Sequence, residues 1–441
     1  MALNQRQRRQ QAAMSDILLL AAIVMLVLLF LKVPVYLAVL GGSMVYFALN
    51  PHVSAAVFAQ QTIIGTEKIS LLAIPFFVCA GIFMNYTGVT KRIMDFCEVV
   101  TGRLPGGLAQ VNVLLSTVMG GLSGSNIADA AMESKMMVPK MTKKGFSLEF
   151  SSVVTAASSM ITPLIPPGIA MILYGCIANV SIGKLFMSGL GVGALLCITM
   201  MILVGVISKK RGYGNISTEK MTWSRFWKAF KPAILPLLLP IIIIGGIRIG
   251  VFTATEAGAV AIIYAAFLGL LYKEMHIKDM IQGLKETACT TTSIMLIVSA
   301  ASVFSWILTK EQIPQALTAW MLANIHSKFV FLIVVNIFLL IVGMFIEGNA
   351  SMIILVPLLA PNAKAYGINE IQFAMIYIFN NAIGALSPPM GTLMFVTCSI
   401  TKCKTAAFIK EAVPFYILLI VNLLLLTWFE PFTTFLVNLV Y

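Results

Sequence analysis

Long apolar runs fill most of the chain, and four short polar islands interrupt them. Runs such as IVMLVLLFL from Ile23, AILPLLLPIIIIGG from Ala233 and FYILLIVNLLLLTWF from Phe415 cross or nearly cross a bilayer at helical rise. The islands are SGSN (123–126), PLIPPG (163–168), EGNAS (347–351) and LSPPMG (386–391). No period-two alternation of the kind a β-barrel needs is present. The pattern predicts an all-α polytopic membrane protein.

The predicted elements form a path. Segments near 16–31, 34–50 and 69–88 cross, with an amphipathic stretch at 51–68. Residues 106–143 enter from one side and return to it. Residues 147–180 cross with a break at PLIPPG, and 185–208 cross back. A second series follows: 232–248, 252–272, 289–309, a hairpin at 329–362, a broken crossing at 371–401, and 412–436. This path has ten crossings and two re-entrant hairpins.

The second series echoes the first. With a shift of 222 residues, Gly121 meets Gly343, Ala128 meets Ala350, Pro139 meets Pro361 and Gly145 meets Gly367. Pro166-Pro167 likewise meets Pro388-Pro389. Apolar matches mean little in such a sequence, but Gly and Pro fix backbone geometry, so their register marks a repeat. The expected domains are a basic N-terminal arm or linker (1–15), a first repeat (16–208), a basic connection (209–231) and a second repeat (232–441).

Composition agrees with this class. Of 441 residues, 59% are hydrophobic and 11% charged, and no soluble fold of this length hides so much apolar side chain. The net charge of +13 does not point to nucleic acid, because Lys and Arg cluster in short loops. The largest cluster is Lys209, Lys210, Arg211, Lys220, Arg225, Lys228 and Lys231. Such loops face the cytoplasm, where anionic lipid is a sufficient partner.

Charge also orients the repeats. The ends of the first hairpin carry Arg103 and Lys140, Lys143 and Lys144, whereas the matching ends of the second carry only Lys328 and Lys364. One pair of ends is strongly basic and the other nearly neutral, so they are expected on opposite sides, as in an inverted repeat. Arg6, Arg8 and Arg9 run against this path, which leaves the N-terminus outside. They fit a fusion linker or a different threading of the first segments. The seven cysteines form no CxxC pair and read as buried small hydrophobes. His52, His276 and His326 have no metal-ligand spacing.

The islands carry the candidate chemistry. Paired prolines unwind a helix, and unwound backbone at membrane depth is tolerated where it is buried in protein or lines a cavity. Carbonyl and hydroxyl oxygens suit a hard cation such as Na⁺, and helix N-termini suit an anion. The candidate residues at the first tip are Ser123, Gly124, Ser125, Asn126 and Asp129, with Thr162, Pro166, Pro167 and Gly168 at the first break. At the second tip they are Glu347, Gly348, Asn349 and Ser351, with Ser387, Pro388, Pro389, Gly391 and Thr392 at the second break. Asp129 and Glu347 stand out because intramembrane acids mark function. For any single island, kinking and close helix packing explain the composition equally well; four islands in register favour function. Glu256, in FTATEAG, reads as a helix cap rather than a site residue.

Rival readings exist. Gly121-Leu122-Ser123-Gly124 fits the GxSG of an intramembrane serine protease, but no histidine lies in an apolar segment to act as its base. A passive channel is the second rival; inverted hairpins favour alternating access instead. An ATP-driven pump needs a P-loop, and GxxxxGK[ST] is missing.

The stretches GGLSGSNIADAAMESKMMVPKM, SSMITPLIPPGIAMILYG, GVFTATEAGAVAIIYA and GALSPPMGTLMF resemble the large membrane subunit of the tripartite ATP-independent periplasmic (TRAP) transporters, over essentially Met14 to Tyr441. The resemblance implies a scaffold plus a mobile transport domain that carries both hairpins in an elevator movement. It implies import coupled to inward Na⁺ flow across the bacterial inner membrane, with no cofactor beyond that ion and no enzymatic activity. It also implies a small four-helix membrane subunit, a periplasmic substrate-binding protein, and an organic acid of the sialic acid or C4-dicarboxylate type as substrate.

Overall fold

The computed structural model describes residues 2–31, 33–215 and 222–441, with side chains from Asp16 onward. Arg6, Arg8 and Arg9 of the expected arm, and Lys220 of the expected connection, lie outside the described side chains. Among the described residues the chain is helical, without strands.

The first half comprises α1 (Ala2–Phe30), α2 (Val35–Leu49), α3 (Ala55–Ile64), α4 (Ala73–Tyr86), α5 (Val89–Thr101), α6 (Gly107–Ser123), α7 (Asn126–Lys143), α8 (Leu148–Ser158), α9 (Ile169–Ala178) and α10 (Ile182–Arg211). A 3-10 turn, Ile69–Leu72, precedes α4, and another, Ser159–Leu164, prolongs α8. The second half comprises α11 (Trp223–Arg248), α12 (Ala254–Leu271), α13 (Ile277–Lys310), α14 (Ile313–Asn324), α15 (Lys328–Phe345), α16 (Gly348–Ala365), α17 (Glu370–Leu386), α18 (Thr392–Thr401), α19 (Thr405–Trp428) and α20 (Pro431–Val440).

The 222-residue register governs these bounds. Adding 222 to the limits of α7 gives 348 and 365, the limits of α16. Adding it to residues 148 and 164, the start of α8 and the end of its 3-10 turn, gives the limits of α17. Packing repeats too, but across the halves: α7 lies against α18, and α16 lies against α9.

Several expectations change in detail. Seven helices among the described residues are long and apolar enough to cross a membrane, or eight if the pair bent by 42° at 164–169 counts as one. The segments 16–30 and 35–49 are shorter apolar helices. The crossing expected at 289–309 is the end of the 34-residue α13, whereas the stretch of the first half that matches the whole of α13 is divided into α3, the 3-10 turn and α4. The crossing expected at 412–436 stops at Trp428. Pro431 has no N–H to continue the ladder and instead opens α20. The sequence reading also missed α5 and α14, which connect elements on each side of the register. On α5 the inward face is Val89, Ile93, Met94 and Cys97, while Lys91 is exposed.

The core has unequal parts. A large cluster unites α4 to α13 with α15 to α20. Two small clusters hold α1, α2 and α13 together, one around Tyr46 and Val303 and one around Val39 and Ala300. Tyr46 donates to Glu311, tying α2 to the end of α13. Glu256 forms a capping box with Thr253, its carboxylate accepting from the Thr253 N–H at 2.7 Å, so the structural reading of this acid holds. Six of the seven cysteines are buried.

Candidate functional site

Each polar tip begins as a helix end. In the first, Gly124 caps the end of α6 with φ of 63°, a left-handed conformation natural to glycine. Ser125 then opens α7 as its N-cap, its hydroxyl accepting from the Ala128 N–H at 3.4 Å. Gly124 also has a packing duty: a Cβ there would stand 2.7 Å from the Pro167 carbonyl oxygen. The Ile169 N–H donates to the Gly124 carbonyl at 3.4 Å. The tip is thus seated on the first break, whose Pro166, Pro167 and Gly168 are all buried. Both the Pro166-Pro167 and Pro388-Pro389 bonds are cis.

Behind this tip the Asp129 carboxylate, only 1% exposed, accepts from the Thr162 hydroxyl at 2.8 Å. The Ser123 side chain adjoins it. The N-terminal turn of α7 favours negative charge at this position. Asp129 therefore joins tip to break.

The second tip is built with the same parts rearranged. Glu347 stands where Ser125 stands in the first repeat, and Ser351 where Asp129 stands, 222 residues on. Glu347 is the N-cap of α16, its carboxylate accepting from the Ala350 N–H at 3.1 Å. Ser351 is buried, with its hydroxyl 3.1 Å from the Tyr377 hydroxyl. Each tip thus carries one acid and one serine at these two positions, in exchanged order.

Both tips open on one small cavity of about 90 Å³. Its lining takes Gly124, Ser125 and Asn126 from the first tip, Glu347, Gly348 and Asn349 from the second, and Thr392 from the second break. The N-termini of four helices, α7, α9, α16 and α18, meet there through Asn126, Ile169, Gly348 and Thr392. Those of α9 and α18 follow glycine and have no side-chain cap.

Other sequence-selected residues stand apart from the lining. Ser123, Asp129 and Thr162 form the layer behind the first tip. Ser387 donates to the Ile383 carbonyl of its own helix at 2.8 Å. Pro389 is exposed, unlike its counterpart Pro167.

Two polar residues escaped the sequence reading. Asn381 lines the cavity and donates to the Gly348 carbonyl at 3.3 Å, leaving its own oxygen without a partner. Glu133, one turn beyond Asp129, is fully buried, with Oε2 2.6 Å from the Ser116 hydroxyl. The signal for Glu133 is its spacing of four from Asp129 and Met137, which places it on the inward face of α7.

A protease reading finds no support here. Ser123 Oγ accepts from the Ser125 N–H at 3.4 Å, and His52, His276 and His326 are all exposed.

Comparison with known proteins agrees with the geometry. Residues 22–432 match the family model of the tripartite ATP-independent periplasmic transporter, DctM component. The chain is 38% identical over 407 residues to the sialic acid TRAP transporter large permease protein SiaM of Vibrio cholerae, covering 92% of this chain and 95% of that one. It is 34% identical over 390 residues to the C4-dicarboxylate TRAP transporter large permease protein DctM of Pseudomonas aeruginosa, covering 88% and 91%. The YdaH transporter of Alcanivorax borkumensis shares the fold at a TM-score of 0.55 and 14% identity, covering 89% of this chain and 96% of that one. The chain therefore belongs to the DctM family of TRAP transporter large permeases, a family of multi-pass inner-membrane transport proteins and not of enzymes.

Proposed function

We propose that this chain imports an organic acid anion, driven by Na⁺ entering with it. The observation that carries this reading is the convergence of four helix N-termini and two polar tips on one cavity. Helix N-termini attract an anion, yet Glu347 lines the same space and Asp129 lies just behind it. An anion and two carboxylates in one low-dielectric region repel unless a cation is present. Na⁺ held by the tip and break oxygens resolves that conflict, and binding of ion and substrate becomes mutually supporting.

The substrate class follows from the relatives, whose printed substrates are acids. Sialic acid is the first candidate, given the 38% identity to the SiaM permease, and a C4-dicarboxylate the second. A soluble periplasmic binding protein delivers the substrate, and a small four-helix membrane subunit completes the carrier. A mobile domain that carries both hairpins and the broken helices moves as an elevator against a scaffold that includes α1 and α2. Passage is by alternating access with the two repeats inverted, not by an open channel.

The test is uptake into proteoliposomes containing this chain and the small subunit, with binding protein outside. Labelled sialic acid accumulates only when the binding protein is present and an inward Na⁺ gradient is applied. Accumulation of neither acid, or accumulation without the binding protein, contradicts the reading.

A further inference from the structure

The buried contacts around Glu133 do not have enough hydrogens if Glu133 is a carboxylate. Glu133 Oε2 is 2.6 Å from Ser116 Oγ, and Ser116 Oγ is 2.8 Å from Ser158 Oγ. Ser158 Oγ is in turn 3.1 Å from the Thr155 carbonyl oxygen. These three contacts need three hydrogens, and the two hydroxyls supply two.

A second observation points the same way. The other carboxyl oxygen, Oε1, is buried with no hydrogen-bond partner. On an ionised carboxylate that oxygen carries half a charge, and leaving it unpaired in the interior is costly; on a neutral acid it is a carbonyl oxygen. No ion pair involves Glu133 among the described residues. The elements packed against α7 are α6, α8, α18 and the 3-10 turn 159–164, with α5 alongside through Thr90–Met132 and Met94–Lys140 contacts. The titratable groups that face Glu133 are Asp129 on its own helix and the Cys97 thiol of α5, and neither supplies positive charge. Asp129 differs in its hydrogen count, because Thr162 has a free hydrogen to donate to it.

We propose that Glu133 is a proton-binding site: a neutral carboxylic acid that donates to Ser116, which donates to Ser158, which donates to the Thr155 carbonyl. The chain of donors joins α7, α6 and α8 directly behind the ion-facing layer. It leaves Asp129 as the single charged group of the first hairpin's interior face, so that a cation at the tip is opposed by one carboxylate rather than two.

Infrared difference spectroscopy on the full chain with its small subunit, at neutral and mildly alkaline pH, reads this directly. Wild type minus Glu133→Gln shows a protonated-carboxyl band that shifts on transfer to D₂O. A difference spectrum with only carboxylate bands overturns the proposal. Because glutamine keeps a donor and an acceptor without charge, Glu133→Gln also retains uptake within about threefold of wild type. A variant that melts like wild type but fails to transport shows that a negative charge is required, and this too overturns the proposal. The band does not depend on Na⁺ coupling, so failure of the import reading leaves it in place.

Discussion

Gly124→Ala separates the packing of the first tip from the conformation of its turn. The alanine at 124 meets two costs. Its φ of 63° is left-handed, which strains a Cβ-bearing residue by about 1–2 kcal/mol. Its Cβ also stands 2.7 Å from the Pro167 carbonyl oxygen, where ordinary contact begins at 3.4 Å, so tip and break must part by about 0.7 Å. The Pro167 oxygen is backbone and cannot rotate aside, and forcing such a contact adds about 1–3 kcal/mol. Gly145→Ala is the matched control, since φ there is 90° and nothing lies within 4 Å of the added carbon. Both variants are expected to lose stability from the strain, read as a lowered melting temperature in detergent. Only Gly124→Ala pushes Ser123 and Ser125 away from Thr162 and the break. A loss of 1–3 kcal/mol in ion binding corresponds to about 5–150-fold in apparent Na⁺ affinity. The assay is Na⁺-titrated uptake in proteoliposomes. If Gly124→Ala shows the Na⁺ dependence of Gly145→Ala, seating the tip on the break is irrelevant to ion binding and the reasoning fails.

Two further outcomes are expected. Ser123→Ala, Ser125→Ala and Asp129→Ala each impair transport while the chain remains inserted, by about 1–3 kcal/mol for a lost buried partner, and raised Na⁺ partly rescues at least one of them. Wild-type rates and Na⁺ dependence in all three would make the stretch a packing device. In an otherwise cysteine-free background, a cysteine at 144 is labelled by a membrane-impermeant reagent from the cytoplasm and one at 366 from the periplasm. Labelling from the same side refutes inverted repeats.

Much of this architecture is legible in the sequence because Gly, Pro and Ser act on the backbone locally. Gly124 as a left-handed cap and Ser125 as an N-cap end one helix and start the next, so the tip between α6 and α7 shows in the sequence as a polar island. The prolines at 166–167 and 388–389 mark the breaks for the same reason. The register of 222 then relates the two halves without any tertiary information.

What escaped depends on facing rather than on backbone. Glu133 sits in MESKMM beside exposed Lys135, and in that company it resembles a solvated residue. Only the helical spacing that puts it beneath Asp129 and above Met137 reveals burial. Asn381 reads as half of an Asn380-Asn381 pair within a long apolar helix; its hydrogen bond to Gly348 joins residues 33 apart. The helix α5 was hidden by its charge, since an amphipathic connector with Lys91 and Arg92 on its surface looks like a loop when only apolar length is scored. Ser351 and Ser387 were selected for their hydroxyls, yet Ser387 bonds back to its own helix and Ser351 meets Tyr377. A hydroxyl's direction is set by rotamer and packing, which spacing does not report.

The central claim is that the polar tips and breaks couple substrate movement to Na⁺. The most direct measurement is initial uptake of labelled sialic acid into proteoliposomes carrying the complete transporter, with external Na⁺ replaced in turn by K⁺ and by choline at constant ionic strength and clamped membrane potential. The account predicts that uptake collapses in both replacements and returns when Na⁺ is restored. Robust uptake that is undiminished in K⁺ or choline would contradict it.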